Sequence, residues 1–86
     1  MIEEILYAIS PASQAEGMYE KANYCYSIAE EEGSGKKMEY YREARRLFKA
    51  LIKFWSEYFS ETEIDEMKQN VEGIELIIKK MGGRNE

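Results

Sequence analysis

The sequence predicts an all-α fold, an up-down-up three-helix bundle with a short additional N-terminal helical segment. Alanines recur every seven residues in the first third of the chain, and two later segments carry large apolar side chains at three- and four-residue steps. Because seven residues make close to two helical turns, each pattern places its members on one helix face. Short breaks that contain glycine or serine separate the segments. Such short connections favour antiparallel neighbours within a single domain over 1–86.

The N-terminal third predicts two helical segments, at about 2–9 and 11–32. Ser10 and Pro11 lie between them. Either Ser10 caps a new helix with Pro11 in its first turn, or Pro11 kinks one continuous helix. The short segment has an amphipathic pattern made by Ile2, Ile5, Leu6 and Ile9. The alanine stripe consists of Ala8, Ala15, Ala22 and Ala29, and Met18, Tyr19, Cys25 and Tyr26 are expected to share its buried face.

The second long helix is predicted at about 36–59, after an acidic and glycine-containing turn. Gly33 or Gly35 is expected to take the left-handed conformation that ends the preceding helix. The apolar stripe of the second helix is wide and comprises Tyr41, Ala44, Leu47, Phe48, Leu51, Ile52, Phe54, Trp55, Tyr58 and Phe59. A helix that is apolar over more than half of its girth packs on two neighbours, so this helix is expected in the middle.

The third long helix is predicted at about 61–81. Ser60 and Glu63 have the spacing of a capping box, in which the serine and the glutamate satisfy each other's backbone N–H groups. Gly82 and Gly83 are expected to end the helix. Its apolar seam consists of Ile64, Met67, Val71, Ile74, Ile78 and Met81.

Composition narrows the function classes. The 86 residues contain one cysteine and no histidine, and the net charge is −5. Cys25 therefore has no partner for an internal disulfide, imidazole catalysis is excluded, and nonspecific nucleic-acid binding is disfavoured. The acidic turn at 30–32 fits a solvated helix end better than a cation site. We expect a noncatalytic chain without metal or cofactor.

The N-terminus lacks the basic region of a secretory signal, and no apolar run approaches the ~20 residues of a membrane span. The expected location is therefore cytoplasmic. The high content of glutamate and lysine also occurs in heat-adapted proteins, although helical composition explains most of it.

Positive charge is concentrated on the second helix. Arg42, Arg45, Arg46, Lys49 and Lys53 form a stripe that is predicted to lie opposite the core face. Such a stripe is either a solvated face or a docking surface for an acidic peptide or protein, with nucleic acid a third alternative. These five residues are the candidate partner-binding residues.

A pattern across the first two long helices comprises Ala22, Ala29, Glu32, Gly33, Tyr41, Ala44 and Leu47, and Phe48 and Leu51 continue it. Through this pattern residues 15–81 resemble a microtubule-interacting-and-trafficking (MIT) domain. The chain departs from the family pattern at Gly73, where the family commonly has an arginine. The resemblance implies a three-helix module that binds short helical tails of partner proteins in grooves beside the third helix.

Two functions remain open from the sequence. The first is a noncatalytic interaction module that binds a helical peptide or partner protein, in particular an acidic helical segment, in a groove between helices. The second is a self-associating structural bundle, a homodimer without a separate ligand. If the apolar residues of the 2–9 segment project from the bundle, they form a patch that favours self-association.

Overall fold

The computed structural model describes residues 10–31 and 35–82, which form three α-helices and one 3-10 turn. Helix α1 spans Pro11–Glu31, α2 spans Lys37–Phe54 and α3 spans Glu61–Lys80, with the 3-10 turn at Ser56–Tyr58. Helix α2 packs against both α1 and α3, as its wide apolar stripe predicts. The all-α three-helix bundle is thus confirmed. The helix expected over 2–9 and Ala8 lie outside the described residues.

Contacts between the helices establish the antiparallel course. Lys21 of α1 lies beside Glu43 of α2, and farther along α1 the ring of Tyr26 meets that of Tyr41, nearer the start of α2. Lys49 of α2 pairs with Glu75 of α3, and Ile52 and Lys53, later in α2, line one cavity with Lys68 and Val71, earlier in α3. Each helix therefore runs opposite to its neighbour in sequence, which gives the up-down-up arrangement.

The first long helix begins at the serine–proline pair. The Ser13 N–H donates to Ser10 Oγ (3.1 Å), and the Gln14 N–H donates to the Ser10 carbonyl (2.9 Å). This is N-cap geometry, with Pro11 at the first helical position, where its missing N–H has no intrahelical partner to lose. Within the described residues the helix therefore begins at Pro11, with Ser10 as its cap.

The turn between α1 and α2 is described only in part. The expectation that Gly33 or Gly35 ends α1 in the left-handed conformation stays a prediction, because Gly33 lies outside the described residues, together with Glu32 and Ser34.

Helix α2 ends at Phe54, five residues before the predicted end at 59. Trp55 leaves the helical conformation (φ −127°, ψ 16°), and its N–H closes the last turn on the Leu51 carbonyl (3.0 Å). Beyond this point the chain forms the 3-10 turn at Ser56–Tyr58. The 3-10 turn lets Phe59 pack on Tyr19, with ring centroids 5.2 Å apart, while Phe54 and Tyr58 remain exposed, which corrects their assignment to the core.

Helix α3 begins and ends as predicted to within one residue. Ser60 Oγ accepts from the Glu63 N–H, and Glu63 Oε1 accepts from the Ser60 N–H, which is the capping box. Past the C-terminus Gly82 has a φ of +82°, and its N–H donates to the Lys79 carbonyl. A left-handed glycine there is the usual helix stop. Met81, expected on the apolar seam, is exposed because the helix has already ended.

One apolar core joins the three helices. The small residues of α1 that the alanine pattern predicts, Ala15, Ala22, Cys25 and Ala29, are all buried. The largest fully buried side chains are Phe48, Leu51, Met67, Ile74 and Ile78. Among the described residues α1 and α3 share hardly any contact, so α2 carries both helix interfaces.

Candidate functional site

An apolar groove runs between α2 and α3. Its volume is about 390 Å³. Ile52 of α2 and Val71 of α3 form its floor, and the charged side chains around them form its walls. We call it the lysine groove; the described residues that line it are Lys49, Ile52, Lys53, Lys68, Val71 and Glu72.

Helical spacing places these side chains together. Lys49, Ile52 and Lys53 are three and four residues apart on α2, and Lys68, Val71 and Glu72 repeat the spacing on α3. Residues three and four apart share a helix face. Each helix thus contributes one branched apolar residue between two charged ones. Lys49 Nζ reaches Glu75 Oε2 across the interface (3.4 Å) and ties the two helices together at this end of the groove.

The charge of the lysine groove is opposite to that of the whole chain. Three lysines and one carboxylate, Glu72, line it, although the chain carries a net charge of −5. The long lysine side chains cover apolar surface with their methylene stems and keep their ammonium groups in water. An amphipathic helix whose apolar stripe is flanked by carboxylates complements both properties.

A second concave surface continues from the groove along α2. Its volume is about 540 Å³. Lys49 lines both cavities, so the two form one continuous surface. We call the second the arginine cleft; the described residues that line it are Glu39, Arg42, Glu43, Arg45, Arg46 and Lys49.

One carboxylate organises the edge of the arginine cleft. Arg46 Nη2 donates to Glu43 Oε2 (2.6 Å) and Arg46 Nε donates to Glu43 Oε1 (3.1 Å). Lys21 of α1 approaches the same carboxylate at 3.9 Å. The hydrogen bond from Arg46 lowers the pKa of Glu43 and raises that of Arg46. Arg46 is therefore already occupied, even though much of its side chain is exposed.

The structure corrects the placement of Arg45. The five basic residues are not one solvated stripe, because Arg45 is buried, with 8% of its surface exposed. Residue 45 is four after Tyr41 and three before Phe48, both of them buried, so its side chain leaves the helix along the same face. Arg42 is half-buried. Arg46, Lys49 and Lys53 are exposed, and Lys53 Nζ lies 5.3 Å from the centroid of the Phe54 ring.

Arg42 has an unsatisfied donor. Its Nε is closed to solvent and has no hydrogen-bond partner among the residues that the structure describes. A buried donor without a partner costs about 1–3 kcal/mol, and such groups are rare in folded proteins. This atom is therefore the unexplained polar group of the cleft.

Sequence reasoning missed the floor and far wall of the groove. The pattern places Ile52 and Val71 with the core, where Val71 is buried, and it does not distinguish Lys68 and Glu72 from other surface residues. One signal was available: Ile52 lies at the edge of the α2 stripe, where a residue is only half covered by a neighbouring helix. Where the groove opens depends on how far α3 rotates about its axis, and the pattern of α3 alone does not specify that rotation.

Other kinds of site find little support in the described residues. Within 10–31 and 35–82 no three acidic or cysteine side chains converge as metal ligands. Cys25 is buried beneath α2, and burial raises the pKa of its thiol. No helix in this part of the chain is both long and apolar enough to cross a membrane.

Comparison with protein-family models, with curated proteins and with solved structures found no match to this chain. The lysine groove and the arginine cleft therefore carry the functional inference.

Proposed function

We propose that this protein is a noncatalytic interaction module that binds an amphipathic helical segment of a partner protein in the lysine groove. The observation that carries the proposal is the combination of an apolar floor, Ile52 and Val71, with three lysines around it. Helix-in-groove recognition needs an apolar stripe on the ligand at three- and four-residue steps. The lysines add a preference for acidic residues beside that stripe.

The resemblance to MIT domains supports the same proposal. It implies a ligand that lies beside the third long helix, and the lysine groove is bounded on one side by α3. The candidate residues are then divided in role. Lys49 and Lys53 face the ligand directly, whereas Arg45 is buried and supports α2.

A pair of designed peptides tests the proposal. The first carries leucines at three- and four-residue steps with glutamates on both flanks, and the second has lysines in place of the glutamates. Calorimetry is expected to detect binding of the acidic peptide only. In amide NMR spectra the largest shifts are expected at Ile52, Lys53 and Val71. Equal binding of both peptides, or shifts confined to α1, would contradict the proposal.

Charge reversal provides a matched control. Lys53→Glu with Lys68→Glu changes two walls of the groove, and Lys79→Glu with Lys80→Glu makes the same change in net charge in the last turn of α3. Because charges at a rim steer encounter, the first pair is expected to slow association of the acidic peptide by about tenfold, with the second pair close to the parent. Similar rates for the two double variants would leave only the net charge as the cause.

Self-association remains a second candidate because large apolar side chains are exposed. Phe54 is 69% exposed and Leu76 is 60% exposed. Light scattering at two protein concentrations separates the alternatives: an interaction module is expected to stay monomeric, and a structural homodimer doubles in mass. Leu76→Lys is expected to shift that equilibrium toward the monomer if α3 forms the dimer contact.

A further inference from the structure

The lysine groove and the arginine cleft differ in the cations that they present. The groove presents ammonium groups, which are compact point charges. The cleft is lined by the half-buried Arg42, the buried Arg45 and Arg46, which is bound to Glu43, with the carboxylates of Glu39 and Glu43 beside them. A guanidinium offers a rigid fork of donors that matches the oxygens of a phosphoryl group or a carboxylate, and an ammonium does not. The cleft is therefore the more selective of the two surfaces for an oxyanion.

Arg42 is the arginine of the cleft with a buried and unsatisfied donor among the described residues. The Nε of Arg46 already donates to Glu43, whereas the Nε of Arg42 is unsatisfied among the described residues. Arg42 is only half-buried and lines the open cleft. A rotation of the side chain that turned Nε toward the cleft would let an anion there satisfy the donor and remove this cost.

We propose that the arginine cleft binds a phosphoryl group, on a serine or threonine of the partner segment that occupies the lysine groove, with Arg42 as the principal donor. Lys49 lines both cavities, so a segment that leaves the groove past Lys49 passes directly over the cleft. A phosphoryl group carries nearly two negative charges and three acceptor oxygens, which suits a cleft rich in arginine better than a single carboxylate does. This inference rests on the proposed function for the segment that carries the phosphoryl group.

The distance between the two surfaces sets the design of the probe. Residues 42–49 span about 10 Å along α2, at a rise of 1.5 Å per residue. The phosphoserine is therefore placed one to two turns beyond the last leucine of the acidic designed peptide. Because the segment can lie in either direction along the groove, one peptide carries the phosphoserine near its N-terminus and another carries it near its C-terminus. Unphosphorylated versions and inorganic phosphate complete the set.

The readout is the Nε–H signal of Arg42 in side-chain NMR spectra, together with the dissociation constant of each peptide. One phosphopeptide is expected to shift this signal and to bind at least about tenfold more tightly than its unphosphorylated version, as expected for one charge-assisted pair of hydrogen bonds. Arg42→Lys keeps the charge and removes the fork, so it is expected to abolish that difference. Lys80→Arg, the reverse exchange at an exposed position outside both cavities, is the control and is expected to retain the difference.

The possible results distinguish failure of the phosphoryl site in the cleft from failure of the proposed function of the groove. If phosphorylated and unphosphorylated peptides bind equally, the phosphoryl site is overturned and the proposed function stands. If inorganic phosphate shifts the Arg42 signal but no peptide binds, both the partner segment and the proposed function are overturned. If Arg42→Lys retains the full difference, positive charge without the guanidinium fork explains the binding, and the assignment to Arg42 is wrong.

Discussion

The two interfaces of the middle helix are built from different side chains. On the α1 side the partner helix presents Ala15, Ala22, Cys25 and Ala29, and rings fill the space between the helices. Tyr26 lies 6.2 Å from Tyr41 and 6.4 Å from Phe48, centroid to centroid. On the α3 side the buried residues are Met67, Val71, Ile74 and Ile78, and a groove of about 390 Å³ opens beside Val71.

The comparison shows how one helix serves both stability and recognition. Because the α1 residues at this interface are small, α1 and α2 can approach closely, and aromatic rings fill the space that remains between them. Branched aliphatic side chains of α3 leave surface uncovered where the α2 stripe reaches its edge at Ile52. We therefore expect the α1 interface to contribute more of the free energy of unfolding, and the α3 interface to provide the binding surface.

The largest expected effect is on the α1 side. Phe48 is 0% exposed, and its ring is met edge-on by Tyr26. Phe48→Ala is expected to lower the free energy of unfolding by about 3–5 kcal/mol, because it removes a large buried ring and leaves a cavity. Urea denaturation measures the change. Phe54→Ala is the control in the same helix, and since Phe54 is 69% exposed it is expected to change the stability by about 0.5 kcal/mol or less. Similar losses would show that α2 is rotated relative to this description.

A smaller decrease in the free energy of unfolding is expected when an alanine of the stripe is replaced by a larger residue. Ala22→Leu inserts a branched side chain where the helices meet, and overpacking of this kind costs about 1–3 kcal/mol. Ala12→Leu, at an exposed position of the same helix, is the control. If Ala22→Leu melts at or above the parent temperature, the small residues are not what allows close approach on the α1 side.

Alkaline pH is expected to weaken the α1 side. Burial raises the pKa of Cys25 above its ordinary 9.0, and burial followed by the charge of Glu30 raises those of Tyr26 and Tyr41 above 10.0. The unfolded chain then loses these protons first, so stability falls as the pH rises, from 9.0 for Cys25 and from 10.0 for the tyrosines. Urea midpoints at pH 8 and above measure this fall. In Cys25→Ala the part of the fall that begins near pH 9 is expected to disappear, and its persistence would contradict the assignment.

The smallest effect is expected on the α3 side, from the Lys49–Glu75 pair. The pair spans 3.4 Å but both side chains are partly exposed. A double-mutant cycle with Lys49→Gln and Glu75→Gln is expected to give a coupling energy of about 0.2–1 kcal/mol that decreases with salt. A coupling well above this range would mean that the pair, and not apolar packing, holds α3 on α2.

The sequence predicts the parts of this fold that depend on local chemistry. Ser10, Ser60 and Gly82 cap the helices where their side chains or backbone freedom indicate, and Ala15, Ala22 and Ala29 are buried as their period requires. These features depend on residues within one or two helical turns, so the local sequence is sufficient to predict them.

The errors concern features that depend on a second helix. Helix α2 stops at Phe54, and Phe59, which follows the 3-10 turn, packs on Tyr19 of α1. Arg45 is buried because position 45 faces the same side as Tyr41 and Phe48, even though its charge favours solvent. The lysine groove combines residues from α2 and α3, and no periodicity within one helix specifies that combination. Of the five candidate residues, the sequence placed Arg46, Lys49 and Lys53 correctly on the exposed face.

The serial arrangement of the bundle has a kinetic consequence. Because α1 and α3 hardly touch, the helix contacts among the described residues join helices that are consecutive in the chain. Closing such contacts orders only short loops, and proteins dominated by local contacts fold in microseconds to milliseconds. Either hairpin, α1 with α2 or α2 with α3, is able to form first, and the remaining helix then docks on an existing surface. The transition state for folding is therefore expected to centre on α2, whichever neighbour arrives first.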